Sequence, residues 1–218
     1  MSQVTLDRPR LSRAAPLPTR PVRVVPTAHG RARRFALPVL LAAVFMTTLD
    51  FFIVNAAAPA TRQDLGTGPA AAQSVLVGYG LAYAVGLITA GRLGDLYGPR
   101  RIFTVGLALF TAASAVCGLA PSAAVLIGGR IAQGVAAALM GPQVLALIGV
   151  LYPGAARARA FAWYGAAVGI AGTGGQALGG LLIAADPAGL GWRACFLVNV
   201  PLGIAALVLT PVVLPRGV

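Results

Sequence analysis

Gly91-Arg-Leu-Gly-Asp-Leu-Tyr-Gly-Pro-Arg-Arg101 lies between two long apolar segments, and its order of glycines and charges decides how the rest of the chain is read. It predicts a tight turn at a membrane surface. Gly91, Gly94 and Gly98 let the backbone bend where a side chain would clash, and Pro99 suits the first turn of a following helix. Arg100 and Arg101 would hold the turn among cytoplasmic headgroups, as they would in any positively charged inner loop.

Composition points the same way. The 218 residues are 58% hydrophobic and 10% charged, with a mean hydropathy of +0.83, which suits a polytopic membrane protein and not a water-soluble core. Seventeen basic residues stand against five acidic ones, and every basic residue is Arg. Eight of these arginines (Arg8, Arg10, Arg13, Arg20, Arg23, Arg31, Arg33 and Arg34) fall in residues 1–34 and most others flank apolar segments, so nucleic acid is not an expected partner. His29 has no neighbouring ligand, so neither a metal nor another cofactor is expected. Cys117 and Cys195 read as small buried hydrophobes, with a disulfide between them as the alternative. No nucleophile constellation or phosphate loop occurs, and the chain is not read as an enzyme.

Six segments are long enough to cross a bilayer, which takes about 20 apolar residues. They run approximately over Phe35 to Ala60, Ser74 to Ala90, Ile102 to Ala120, Ala123 to Leu151, Ala160 to Ala185 and Ala194 to Leu214. The expected organisation is a disordered, proline-broken basic tail over 1–34, a six-helix transmembrane bundle over 35–214, and a short end over 215–218. Arg33-Arg34-Phe35 also fits a cleavable twin-arginine signal, but Asp50 inside the apolar run and five further spans favour a retained helix. Of the arginines, only Arg62, Arg130 and Arg193 fall off the tail, the links after the second and fourth spans, and the C-terminal end. The positive-inside rule therefore places both termini in the cytoplasm of a multi-pass cell-membrane protein.

Charges inside spans cost about 2.5–3.5 kcal/mol at a helix centre and mark functional sites by default. Asp50 lies about 22 Å along the first span at 1.5 Å per residue. It is either a carboxylate able to carry a proton or one held permanently by an arginine. Arg130 opens Arg130-Ile-Ala-Gln133-Gly134, and helical spacing puts Arg130, Gln133, Gly134 and Gly141 on one face. It either points inward or snorkels to the outer interface. The fifth span aligns Gly165, Gly169, Gly172, Gln176 and Gly179, with Gly175 beside them, as a surface for close helix packing.

Several of these strings resemble one family. Gly-x-Leu-x-Asp-x-x-Gly-x-Arg-Arg resembles the signature loop between the second and third spans of the major facilitator superfamily. Leu49-Asp50-Phe-Phe-Ile53-Val54-Asn55-Ala-Ala57-Ala-Pro59 resembles the first span of its fourteen-span drug:proton antiporters, and the Arg130 string resembles its fourth-span motif. Trp192-Arg193-Ala-Cys-Phe196-Leu-Val-Asn199-Val-Pro201-Leu-Gly203 resembles that subfamily's entry into the sixth span, with Trp192 suited to the membrane interface and Arg193 to outer headgroups or a neighbouring helix end. Gly175-Gln176-Ala-Leu-Gly179-Gly180 stands where these antiporters carry Gly-Pro-x-x-Gly-Gly; Gln176 replaces the proline. Ser74 and Thr89 also depart from the pattern, at positions where Trp and Pro are usual.

The resemblance implies an all-α integral membrane fold, the N-terminal six-helix half of a proton-coupled exporter of small amphipathic drugs or metabolites. It implies proton coupling by Asp50 and Arg130, a substrate path by Asn55, Gln133 and Gln176, and a conformational-switch turn of Gly91, Asp95, Gly98, Arg100 and Arg101. Asp95 would meet a helix of the second bundle. The implied partners are lipid, substrate, protons, and a second six-helix half or another copy of the chain. A lone half would turn the faces bearing Asp50, Arg130 and Gln176 toward lipid. The alternatives are a truncated polypeptide acting only by association, and an uptake carrier of the same fold.

Overall fold

A computed structural model describes residues 30–215, with side chains over 35–215. The expected tail, up to residue 29, and residues 216–218 lie outside the described residues. Helix α1 spans Gly30–Asp64, α2 Pro69–Tyr97, α3 Pro99–Gly118, α4 Ala123–Leu151 and α5 Ala155–Ala185. Two short turns, Pro187–Gly189 and Gly191–Arg193, lead into α6 (Ala194–Leu197) and α7 (Asn199–Val213). Val198 between them keeps helical angles, φ −59° and ψ −28°, so α6 and α7 form one span. Six spans can therefore cross a bilayer by length and composition. Among the described residues there is no strand.

The opening stretch folds differently from its sequence expectation. Gly91 to Tyr97 are helical and extend α2; the chain breaks at Gly98 alone, where φ is 89°. That angle is one a side chain rarely adopts. Gly98 donates its N–H to Gly94 O at 2.9 Å, and Pro99 opens α3 where its missing N–H costs nothing. Gly94 serves packing instead of bending, since the Gln143 side chain of α4 occupies the place its Cβ would take. Gly91 faces open space.

Helix α4 is the bundle's centre, lying against α2 on one side and α3 on the other, while α5 packs on α1. Small residues permit this. A Cβ at Gly134 would collide with Tyr79 O, so α2 and α4 meet backbone to backbone. Phe103, Leu107, Phe110, Met140 and Leu147 fill the core beside α1's Leu40 and Met46. At the end carrying the α2–α3 turn, arginines cap exposed carbonyls: Arg157 donates to Gly149 O at 2.6 Å and Arg100 to Pro211 O at 3.5 Å.

Candidate functional site

Helix α1 carries Asp50 on the face it turns into the bundle, and α4 brings Arg130 to the same depth. Both side chains are 0% exposed, and Arg130 Nη1 donates to Asp50 Oδ2. Arg130 therefore does not snorkel. Nor does either charge face lipid from this half alone: α2, α3 and α6–α7 close around them, contrary to the expectation from sequence. Burying the pair without water is tolerable only if every other bonding direction is largely used.

The surrounding residues supply most of those bonds, with Arg130 Nη2 left without a hydrogen-bond partner. Arg130 Nε donates to Val75 O at 3.3 Å and Nη1 to Gln133 Oε1 at 3.0 Å. Its guanidinium lies over the Tyr79 ring at 4.4 Å and the Phe196 ring at 5.8 Å, at distances where a cation is attracted to an aromatic face. Asp50 Oδ1 accepts from Gln133 Nε2 at 3.1 Å and from Asn199 Nδ2 at 2.8 Å. Gln133 Nε2 also donates to Ser114 Oγ at 2.8 Å. Three spans thus meet at one carboxylate, and α2 and α3 join the network through Arg130 and Gln133. Asn199 and Ser114 had no role assigned from the sequence; a polar side chain inside an apolar run is the signal that could have found them.

An open cleft of about 350 Å³ lies in front of this network, lined by Thr47, Thr48, Phe51, Phe52, Tyr79, Gly80 and Tyr83. Tyr79 belongs to both: one ring face covers Arg130, and its hydroxyl donates to Thr47 O at 3.1 Å. Tyr83 stacks near it at 6.4 Å and Phe51 tilts toward it at 5.6 Å. The cleft is an aromatic wall with hydroxyls at its rim, of a size that holds part of a small organic molecule.

The residues assigned to a substrate path do not line this cleft. Gln133 is fully buried and bonded within the charge network. Asn55 is exposed and donates to Phe52 O at 3.1 Å, and Gln176 is exposed on α5. The glycine face also shifts register. Gly172, Gly175 and Gly179 lie against Phe52, Leu49 O and Ile53 of α1, whereas Gly165 and Gly169 have open space around them. The contact follows Gly175 and not Gln176, because α1 crosses α5 over that step.

Asp95 is exposed on the last turn of α2, and Arg101 is exposed on the first turn of α3. At the opposite end Trp192 is buried within the bundle. Its Nε1–H reaches Asp64 Oδ2 at 3.1 Å, Arg193 pairs with the same oxygen at 2.7 Å, and Arg193 Nη2 donates to Ala120 O at 3.5 Å. Both cysteines are free and buried.

Residues 40–218 match the Major Facilitator Superfamily. The chain belongs to that family. It is 43% identical over its whole length to a probable actinorhodin transporter of Streptomyces coelicolor, of which it covers 39%. It is 43% identical to the tetracenomycin C resistance and export protein of Streptomyces glaucescens over 81% of the chain and 33% of that protein. The multidrug resistance protein Stp of Mycobacterium tuberculosis is 44% identical over 77% of the chain and 30% of its own length. The chain thus spans between 30% and 39% of the length of these relatives. A bacterial homologue of the human lysosomal transporter Spinster, inward-facing and occupied, shares the fold at a TM-score of 0.75 and 22% identity, over 87% of this chain and 46% of that one. These superfamily neighbours match the chain along one six-helix half.

Proposed function

We propose that the chain is the N-terminal half of a proton-coupled exporter of small amphipathic compounds, a transporter and not an enzyme. The carrying observation is the buried Asp50–Arg130 pair with an aromatic cleft directly in front of it, the two separated by a single ring, Tyr79. Relatives described as resistance and export proteins support the direction of transport.

In this reading Asp50 is the proton carrier. When it takes a proton the pair becomes net positive, and Arg130 loses its counter-charge where replacement by water is costly. A substrate seated on Tyr79 changes the surroundings of Arg130 from the other side of the same ring. Proton and substrate then compete through one guanidinium. A second six-helix half supplies the facing wall, and rocking of the two halves about the midplane exposes the cleft alternately. Asp95, Arg100 and Arg101 on the short turn at Gly98 are placed to meet that second half. The chain alone does not transport.

The test is export of a fluorescent amphipathic dye, driven by a pH gradient, from vesicles holding a complete transporter built on this half. Asp50→Asn should insert normally and abolish gradient-driven export, because an amide cannot titrate; undiminished export by the mutant would defeat the assignment. In this reading both termini and the bundle end that carries the arginine-rich links lie in the cytoplasm. Reporter fusions check this: a periplasm-dependent reporter should be active at Pro69 and silent at Gly154, and the reverse pattern would invert the topology.

A further inference from the structure

Two carboxamides reach the Asp50 carboxylate, and they are held in different ways. Gln133 has both ends committed. Its Nε2 donates to Asp50 at 3.1 Å and Ser114 at 2.8 Å, and its Oε1 accepts from Arg130 at 3.0 Å and Cys117 Sγ at 3.2 Å. Turning that amide over would set its NH2 against the guanidinium and its oxygen against a carboxylate, so it is locked. Asn199 donates Nδ2 to Asp50 Oδ1 at 2.8 Å, but its own Oδ1 is buried with no hydrogen-bond partner. Folded proteins rarely leave a buried acceptor unpaired without a use for it.

An amide has a donor and an acceptor on one planar group, related by a half-turn of the terminal torsion. An ionised carboxylate only accepts, whereas a carboxylic acid also donates. We propose that Asn199 is a reversible amide that follows the protonation state of Asp50. It gives Nδ2–H to the carboxylate and, after the half-turn, offers Oδ1 to the O–H of the acid. Asp50 gains one proton, the Nδ2–H···Oδ1 bond is exchanged for an O–H···Oδ1 bond, and the NH2 takes the place that the unpaired oxygen held. This rests on the reading of Asp50 as proton carrier. Asn199 opens α7, so the sixth span receives the state of a carboxylate on the first. The titratable and charged groups facing Asp50 are Arg130 from α4, Tyr79 from α2, Cys117 from α3 and Cys195 from α6. Helix α5 lies against α1 at this level through Gly172, Gly175 and Gly179, and α7 contains no titratable side chain.

The experiment is infrared difference spectroscopy between alkaline and acidic pH on the full chain in phospholipid bilayers, with asparagine labelled by carbon-13 at the side-chain carbonyl. Asn55 and Asn199 are the sequence's two asparagines, so the label in an Asn55→Gln background reports Asn199 alone. The labelled carbonyl should absorb as an unpaired amide at alkaline pH and move to lower frequency on acidification. That move should keep step with a protonated-carboxyl band that Asp50→Asn removes. Asn199→Ser, which keeps a donor and an acceptor, should leave the carboxyl band in place, and Asn199→Leu should raise its frequency. A carboxyl band that is lost in Asp50→Asn while the labelled carbonyl never moves overturns the amide reversal and leaves Asp50 as proton carrier. No carboxyl band at any pH removes both.

Discussion

Helix α1 makes two aspartate–arginine pairs, one at mid-span and one at its end, and their surroundings differ in nearly every respect. Asp50 and Arg130 are wholly buried, joined by Gln133 and Asn199, and have an aromatic ring on the guanidinium. Asp64 and Arg193 stand 46% and 30% exposed, with Trp192 sharing the same carboxylate oxygen. The same two functional groups therefore do different work. The outer pair ties the end of the first span to the entry of the sixth in a medium that solvates either charge alone. The inner pair sits where neither charge can be left alone, so anything that alters one must be felt by the other.

The largest effect that could break this contrast is loss of one inner partner. Arg130→Leu should destabilise the bundle by about 3–5 kcal/mol, because it strands a buried carboxylate. The double change Asp50→Leu with Arg130→Met should recover most of that loss while transporting nothing. Thermal melting in detergent checks both, and equal melting of the single and double variants would mean that the pair is not a unit.

A smaller effect sharpens the helix contacts around it. Gly179→Leu should cost about 1–3 kcal/mol, since even a Cβ there would approach Ile53 and Ala56 at 2.9 Å. Gly165→Ala, in open space, should gain up to about 1 kcal/mol from helix propensity. Equal penalties at the two sites would restore the longer glycine face expected from sequence. The least effect belongs to the outer pair. Asp64→Asn should move the melting temperature by little more than the error of measurement, and salt should weaken the wild-type pair in the same way. A loss comparable to that of Arg130→Leu would erase the distinction between the two regions.

The six spans were legible because apolar runs of that length have few other fates, and the arginine-rich links were legible from their charge. Helix ends were less so: Gly91 to Tyr97 looked like a turn by glycine content, yet only Gly98 needs a backbone angle that glycine uniquely tolerates. Asp50 and Arg130 stood out because a charge in an apolar run is conspicuous. Their partners did not, because Asn199 lies 149 residues from Asp50 and no spacing rule reaches that far. The cleft was missed for a related reason. Phe51 and Tyr79 are ordinary membrane-helix residues until two helices diverge and leave space between them. Asn55 and Gln176 are exposed and lie off the cleft lining; polarity alone does not say which face of a helix a side chain occupies.

The central claim, that Asp50 exchanges a proton when the cleft fills, is tested most directly by proton release. The complete transporter built on this half is placed in weakly buffered detergent solution, substrate is added, and the change in pH is recorded. The account predicts a proton released by the wild type and none by Asp50→Asn at equal substrate occupancy; release of the same number of protons by both would contradict it.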